Sequence, residues 1–116
     1  MNEIHQGDVL LVPGELPENL KLKESGSRVT LALGETSGHA HVVETDTPTK
    51  DKTVFLYEDD QGNMWLEVKS PATLKHITAS GEPTLDHNWE PLKQMVYEYI
   101  HQSEVVPSLG VRRVAD

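Results

Sequence analysis

The chain has no cysteine, which removes disulfides, thiolate nucleophiles, cysteine-held zinc and iron–sulfur clusters at once. Any metal must therefore be held by histidine, carboxylate or backbone oxygen. No apolar run approaches the roughly 18 residues that span a bilayer. The first residues, Met1-Asn2-Glu3-Ile4-His5, lack the basic and apolar stretches of a secretory leader. No membrane partner is expected, and a cytoplasmic location is. Basic residues are also scarce, with 10 Lys+Arg against 19 Asp+Glu and a formal charge of −9. Such a balance repels phosphate backbones, so nucleic acid bound through a basic face is not expected. The acids are scattered, and their densest run, Glu58-Asp59-Asp60, reads as a solvated turn. Several motifs are missing too. There is no Gly-x-Gly-x-x-Gly, no Walker-type Gly-x4-Gly-Lys-Ser/Thr, no Gly-x-Ser-x-Gly elbow and no His-Glu-x-x-His. Nucleotide-binding, hydrolase-elbow and zincin readings lose their support with them.

What remains is an ordinary globular composition, 36% hydrophobic and 25% charged over 116 residues. That length predicts one β domain over residues 1–116. Gly7 to Pro13 reads as an opening strand closed by Pro13-Gly14, and Arg28 to Leu33 alternates with Val29, Leu31 and Leu33 on one face. Thr53 to Glu58 and Met64 to Val68 flank a five-residue Gly-containing loop and form the clearest hairpin. Ala72 to Thr78 alternates so that His76 shares a face with Leu74, and Met95 to His101 is a further strand. A short strand over Val111 to Val114 closes the reading. Glu15 to Ser27 follows no period and is predicted as loop with one short helical turn, and Ala79 to Leu92 as a long loop. Short strands at close spacing, punctuated by Gly and Pro, predict an all-β fold, a small antiparallel barrel or sandwich.

Candidate chemistry lies in the six histidines, at positions 5, 39, 41, 76, 87 and 101. His39 and His41 are two apart, and on a strand such residues face the same way, so both imidazoles can approach one ion. A His-x-His arises by chance about 0.3 times in a chain of this composition, so the pair alone decides little. Its setting adds weight, because a Gly34-Glu35-Thr36-Ser37-Gly38 turn leads straight into it at the start of a strand. His76 and His87 are the candidates to complete a metal set, and Glu44 is a possible carboxylate. Neutral imidazoles suit zinc, iron, nickel or copper alike. Glu35 and Glu44 are the carboxylates expected to serve as general base or to orient an imidazole if the protein is catalytic. His5 and His101 have no partner at a telling spacing. Trp65, Trp89, Tyr57, Tyr97 and Tyr99 are expected in the core or the wall of the fold.

Gly34, His39, His41 and Glu44 resemble a compressed first cupin motif, in which a Gly is followed by His-x-His and then Glu. That likeness implies a small β-barrel with these side chains as metal ligands. The chain also resembles a group of small bacterial and phage-encoded proteins without an assigned activity. The likeness rests on Gln6-Gly7-Asp8-Val9-Leu10-Leu11, on Leu33 to His41, on Ala72-x-Leu74-x-His76, and on Tyr97 to Pro107 leading to Arg112-Arg113-Val114-Ala115-Asp116. It implies a shared fold and a His-centred site, and no reaction. In that group a second His tends to follow three residues after the one resembling His76, where this sequence has Ala79, with His87 further on.

Two functions follow as expectations. The first is a metal-binding module, with His39, His41 and one or both of His76 and His87 holding a divalent transition metal and with a small molecule as ligand or substrate. The second is a structural or interaction protein, such as a phage-associated assembly subunit or an acidic inhibitor docking on a basic partner, in which the histidines are incidental. Exposed edge strands in either case leave room for a homo-oligomer.

Overall fold

The computed structural model describes residues 3–7, 9–33, 39–78, 80, 82 and 89–101. Among them run β1 (Ile4–Gln6), β2 (Val9–Pro13), β3 (Lys21–Gly26), β4 (Arg28–Leu33), β5 (Ala40–Thr45), β6 (Val54–Glu58), β7 (Met64–Val68), β8 (Ala72–Ile77), β9 (Glu90–Leu92) and β10 (Val96–His101). The fold is all-β. Six strands form one antiparallel sheet in the order β1-β2-β10-β7-β6-β3, and four form a second in the order β4-β5-β8-β9. Each sheet keeps its own edges, so the molecule is an open sandwich rather than a closed barrel.

Alternation explains the packing. Val9, Leu11, Val54, Leu56, Leu66, Val68, Tyr97 and Tyr99 from the larger sheet meet Val29, Leu31, Val43, Ala72, Leu74 and Leu92 from the smaller in one buried cluster. The chain changes sheets at Ser27, between β3 and β4. Backbone bonds hold that corner, with Thr45 N–H donating to Ser27 and Thr53 N–H to Gly26. The hairpin over β6 and β7 forms in the expected register, from Val54 opposite Val68 to Glu58 opposite Met64. The Asp59 carboxylate accepts from the backbone N–H of Gln61 and of Asn63 within its loop.

Three expectations change. Glu15 to Ser27 forms no helical turn, and its second half is the six-residue edge strand β3, paired with β6. An edge strand with residues 21–24 all exposed has no apolar face to imprint on the sequence, which is why no period shows. Lys21, Lys23 and an irregularity in register between Leu22 and Glu24 blunt that edge against further pairing. The opening strand becomes a hairpin, because Gly7 takes a positive φ of 56° and turns Ile4–Gln6 back onto Val9–Leu11. The stretch expected as a long loop, Ala79 to Leu92, ends instead in a strand, β9, which pairs with β8 through Ala72, Thr73 and Leu74. The short strand expected at Val111 to Val114 lies outside the described residues.

Candidate functional site

β5 and β8 lie side by side with His41 opposite His76 and Val43 opposite Leu74. Residues directly opposite in an antiparallel pair share a face. Val43 and Leu74 are core residues, so the two histidines extend the core face of the smaller sheet toward one end of the sandwich. His41 is 3% exposed. Its ring stacks on that of His76, with centroids 4.3 Å apart and planes within 4°. His39, just before β5, meets His76 edge-on at 5.7 Å and 80°. Three of the four histidines expected as ligands thus come together.

The larger sheet supplies a fourth polar group that the sequence did not single out as a site residue. Gln6, at the end of β1, is fully buried. Its Nε2 donates to the Leu74 carbonyl oxygen at 3.0 Å, and its Oε1 lies 2.8 Å from His41 Nδ1. A buried primary amide is costly unless bonded, and these contacts across the core occupy both its ends. Gly7 follows directly, and a Cβ built there would stand 3.1 Å from His41 Cε1. The Gln6-Gly7 dipeptide is visible in the sequence as the start of an apolar run; what hides its role is that its partners lie in the other sheet. His101 ends β10, and its backbone pairs with Val9, itself opposite Gln6, so the chain returns to this same end.

Trp89 is a second residue whose place the sequence did not mark, since it stands 36% exposed rather than in the core. It donates from Nε1 to the His76 carbonyl oxygen at 3.2 Å, and the Lys75 ammonium sits 4.9 Å from its ring centroid. Glu44 does not join the histidines. Three positions beyond His41 on a strand is the opposite face, and there its carboxylate accepts from Lys75 Nζ at 2.8 Å. His5 is exposed, 3.8 Å from Glu3. His87 and Glu35 lie outside the described residues.

The ring geometry bears on metal binding. With zinc–nitrogen bonds of about 2.0–2.1 Å, two imidazoles sharing a tetrahedral ion have centroids about 5–6 Å apart and ring planes that meet at the ion. His39 and His76 satisfy that spacing at 5.7 Å. The parallel His41 and His76 rings do not, since lone pairs lying in parallel planes cannot reach one point. Accordingly no group of three or more His, Asp or Glu among the described residues converges as a metal site in this arrangement.

Fold and site together define an antiparallel β sandwich carrying a histidine–glutamine cluster between its sheets at one end. A family model described as a domain of unknown function, DUF8820, matches residues 5–102, and the chain belongs to that family. No curated protein and no solved structure matches it. Among the described residues no helix is long and apolar enough to cross a membrane.

Proposed function

We propose that this protein binds a divalent transition metal ion through His39, His41 and His76. The observation that carries the reading is the in-register pairing of His41 with His76, which gathers three imidazoles from two segments at one end of the sandwich. Neutral imidazole is a common ligand for zinc, iron, nickel and copper, and second partners that orient ligating rings, as Gln6 orients His41, are usual at such sites. Binding requires that one of the two stacked rings leave the stack. The cupin resemblance of the His39-x-His41 stretch supports this reading through the two histidines alone, Glu44 lying on the other face of β5.

The test is metal content by elemental mass spectrometry on protein reconstituted with zinc, iron or nickel, beside the His39→Ala/His41→Ala double variant. About one equivalent is expected in the wild type and none in the variant. Ions at 100 times Kd should also stabilise the wild type against heat by about 2.7 kcal/mol. No bound metal in either protein overturns the reading.

A second reading is favoured by the same contacts. Gln6 joins β1 of one sheet to β5 and β8 of the other, so the cluster is a polar staple between the sheets of a structural or interaction protein. Under it, His41→Ala lowers stability, and zinc raises the melting temperature of neither protein.

A further inference from the structure

On the larger sheet, Leu56, Leu66 and Tyr97 point into the core, so their strand neighbours Tyr57, Trp65 and Glu98 point outward. Register sets these three in one row, with Glu98 opposite Trp65 and Trp65 opposite Tyr57. The row continues to Val12 on one side and to Leu22, 51% exposed, on the other. Glu98 and Trp65 lie on β10 and β7, the two central strands of the six. Phe55 shares this face and stacks on Tyr57 with planes 15° apart.

Two groups in the row have no partner among the described residues. The ion pairs there take Glu3, Glu44 and Glu58, and on the same face Glu67 accepts from the Tyr57 hydroxyl at 3.3 Å. Glu98 has neither kind of contact. Lys69 lies 5.3 Å from the Phe55 ring centroid and Lys75 4.9 Å from that of Trp89, whereas no described cation overlies Trp65. Half-buried between Val12 and an indole, the Glu98 carboxylate has lost part of its hydration without a protein partner in return. Side chains directly opposite on antiparallel strands have Cβ atoms about 4.5–5.5 Å apart, so one group can cover the Trp65 ring and reach Glu98. A planar cation suits both, because a guanidinium stacks flat on an indole while donating in a fork to a carboxylate.

We propose that the outer face of the larger sheet docks a basic protein partner, with a partner arginine seated on the Trp65 ring and paired with Glu98. The net charge of −9 attracts such a partner. The centre of the sheet is where a docked surface excludes water best, and there an aromatic ring and an arginine contribute most. The histidine cluster takes no part, so the inference goes beyond the ion-binding reading and does not depend on it.

The test is a 1H–15N correlation spectrum of the full chain in about 0.1 M sodium chloride, where long-range attraction is screened, titrated with acetylated, amidated oligoarginine. The peptide should move the Trp65 indole N–H signal, assigned by its loss in Trp65→Phe or its survival in Trp89→Phe. Oligolysine of equal length should bind about 3-fold more weakly. Glu98→Gln should raise the oligoarginine Kd roughly 10-fold. Glu44→Gln removes the same charge from the outer face of the smaller sheet and should raise it less than about 2-fold. Equal losses in the two variants, equal binding of the two peptides, or an unmoved Trp65 signal overturns the proposal. So does a Trp65 signal that shifts with protein concentration alone, which assigns the face to a second copy of this chain. A shift in Arg112→Gln/Arg113→Gln without peptide assigns it to the chain's own arginines and overturns the proposal as well.

Discussion

The two faces of the β5–β8 pair both carry polar side chains and treat them in opposite ways. On the inner face, His41 stands against His76 and requires Gln6 from the other sheet. On the outer face, Glu44 and Lys75 form an ion pair with side chains 39% and 25% exposed, and Thr73 donates to Asp46 in solvent nearby. Water meets any unmet demand on the outer face, so partners there are optional. Within the core an unmet donor or acceptor costs about 1–3 kcal/mol, so each polar atom must find a protein partner. The difference teaches where to look for function in a sandwich of this kind. A polar group kept inside at that cost, with a dedicated partner, is better grounds for a site than a pair of charges outside.

The comparison breaks most sharply at Gly7. Gly7→Ala puts a side chain on a residue with φ of 56°, at about 1–2 kcal/mol for the left-handed backbone. It also brings a methyl to 3.1 Å from a His41 ring that its bond to Gln6 holds in place. A loss of about 2 kcal/mol in a urea titration is expected, together with displaced His41 ring signals. A neutral substitution would mean that the ring gives way freely and that the inner face is less constrained than its bonds imply.

Tyr99 sharpens the same contrast with a smaller effect. Its hydroxyl crosses from the larger sheet and donates to the Leu31 carbonyl oxygen at 3.2 Å. The β4–β5 pairing shifts register between Thr30 and Ala32, so Leu31 falls at an irregularity of the ladder. Tyr99→Phe keeps the ring in the core and removes the hydroxyl, and with it the bond to Leu31. A loss of about 1 kcal/mol, with the denaturation slope unchanged, is the expected result.

Much of this arrangement is legible in the sequence, for a physical reason. Val29, Leu31, Leu74 and His76 alternate because one face of each strand is buried, so strand identity and the shared face of Leu74 and His76 can be read directly. The pair His39 and His41 is visible through its spacing of two. Glu44 reads as a candidate carboxylate beside His41, but a spacing of three places two side chains on opposite faces of a strand, and its carboxylate accepts from Lys75 instead. What the sequence hides is the contribution of the other sheet. Gln6 and His41 are 35 positions apart, and nothing local couples them. β3 is hidden because an exposed edge strand buries no face. Whether the strands close into a barrel or stay as a sandwich depends on edge pairing that no single strand encodes.

The outer face predicts the smallest effect, and its value lies in being small. Glu44→Gln removes the charge that Lys75 meets at 2.8 Å while keeping the shape of the side chain. A pair this exposed contributes roughly 0.2–1 kcal/mol, screened further by salt. Lys75 also retains the Trp89 ring, 4.9 Å from its ammonium, which holds it in place after the carboxylate is neutralised. The variant should therefore lose under about 0.5 kcal/mol at low salt, and the gap from wild type should close as sodium chloride is raised toward about 1 M. Zinc binding should not change, because Glu44 points away from the histidines. A loss of zinc affinity in Glu44→Gln would show that the two faces are coupled through β5, and would return a carboxylate to the site from which strand parity removes it.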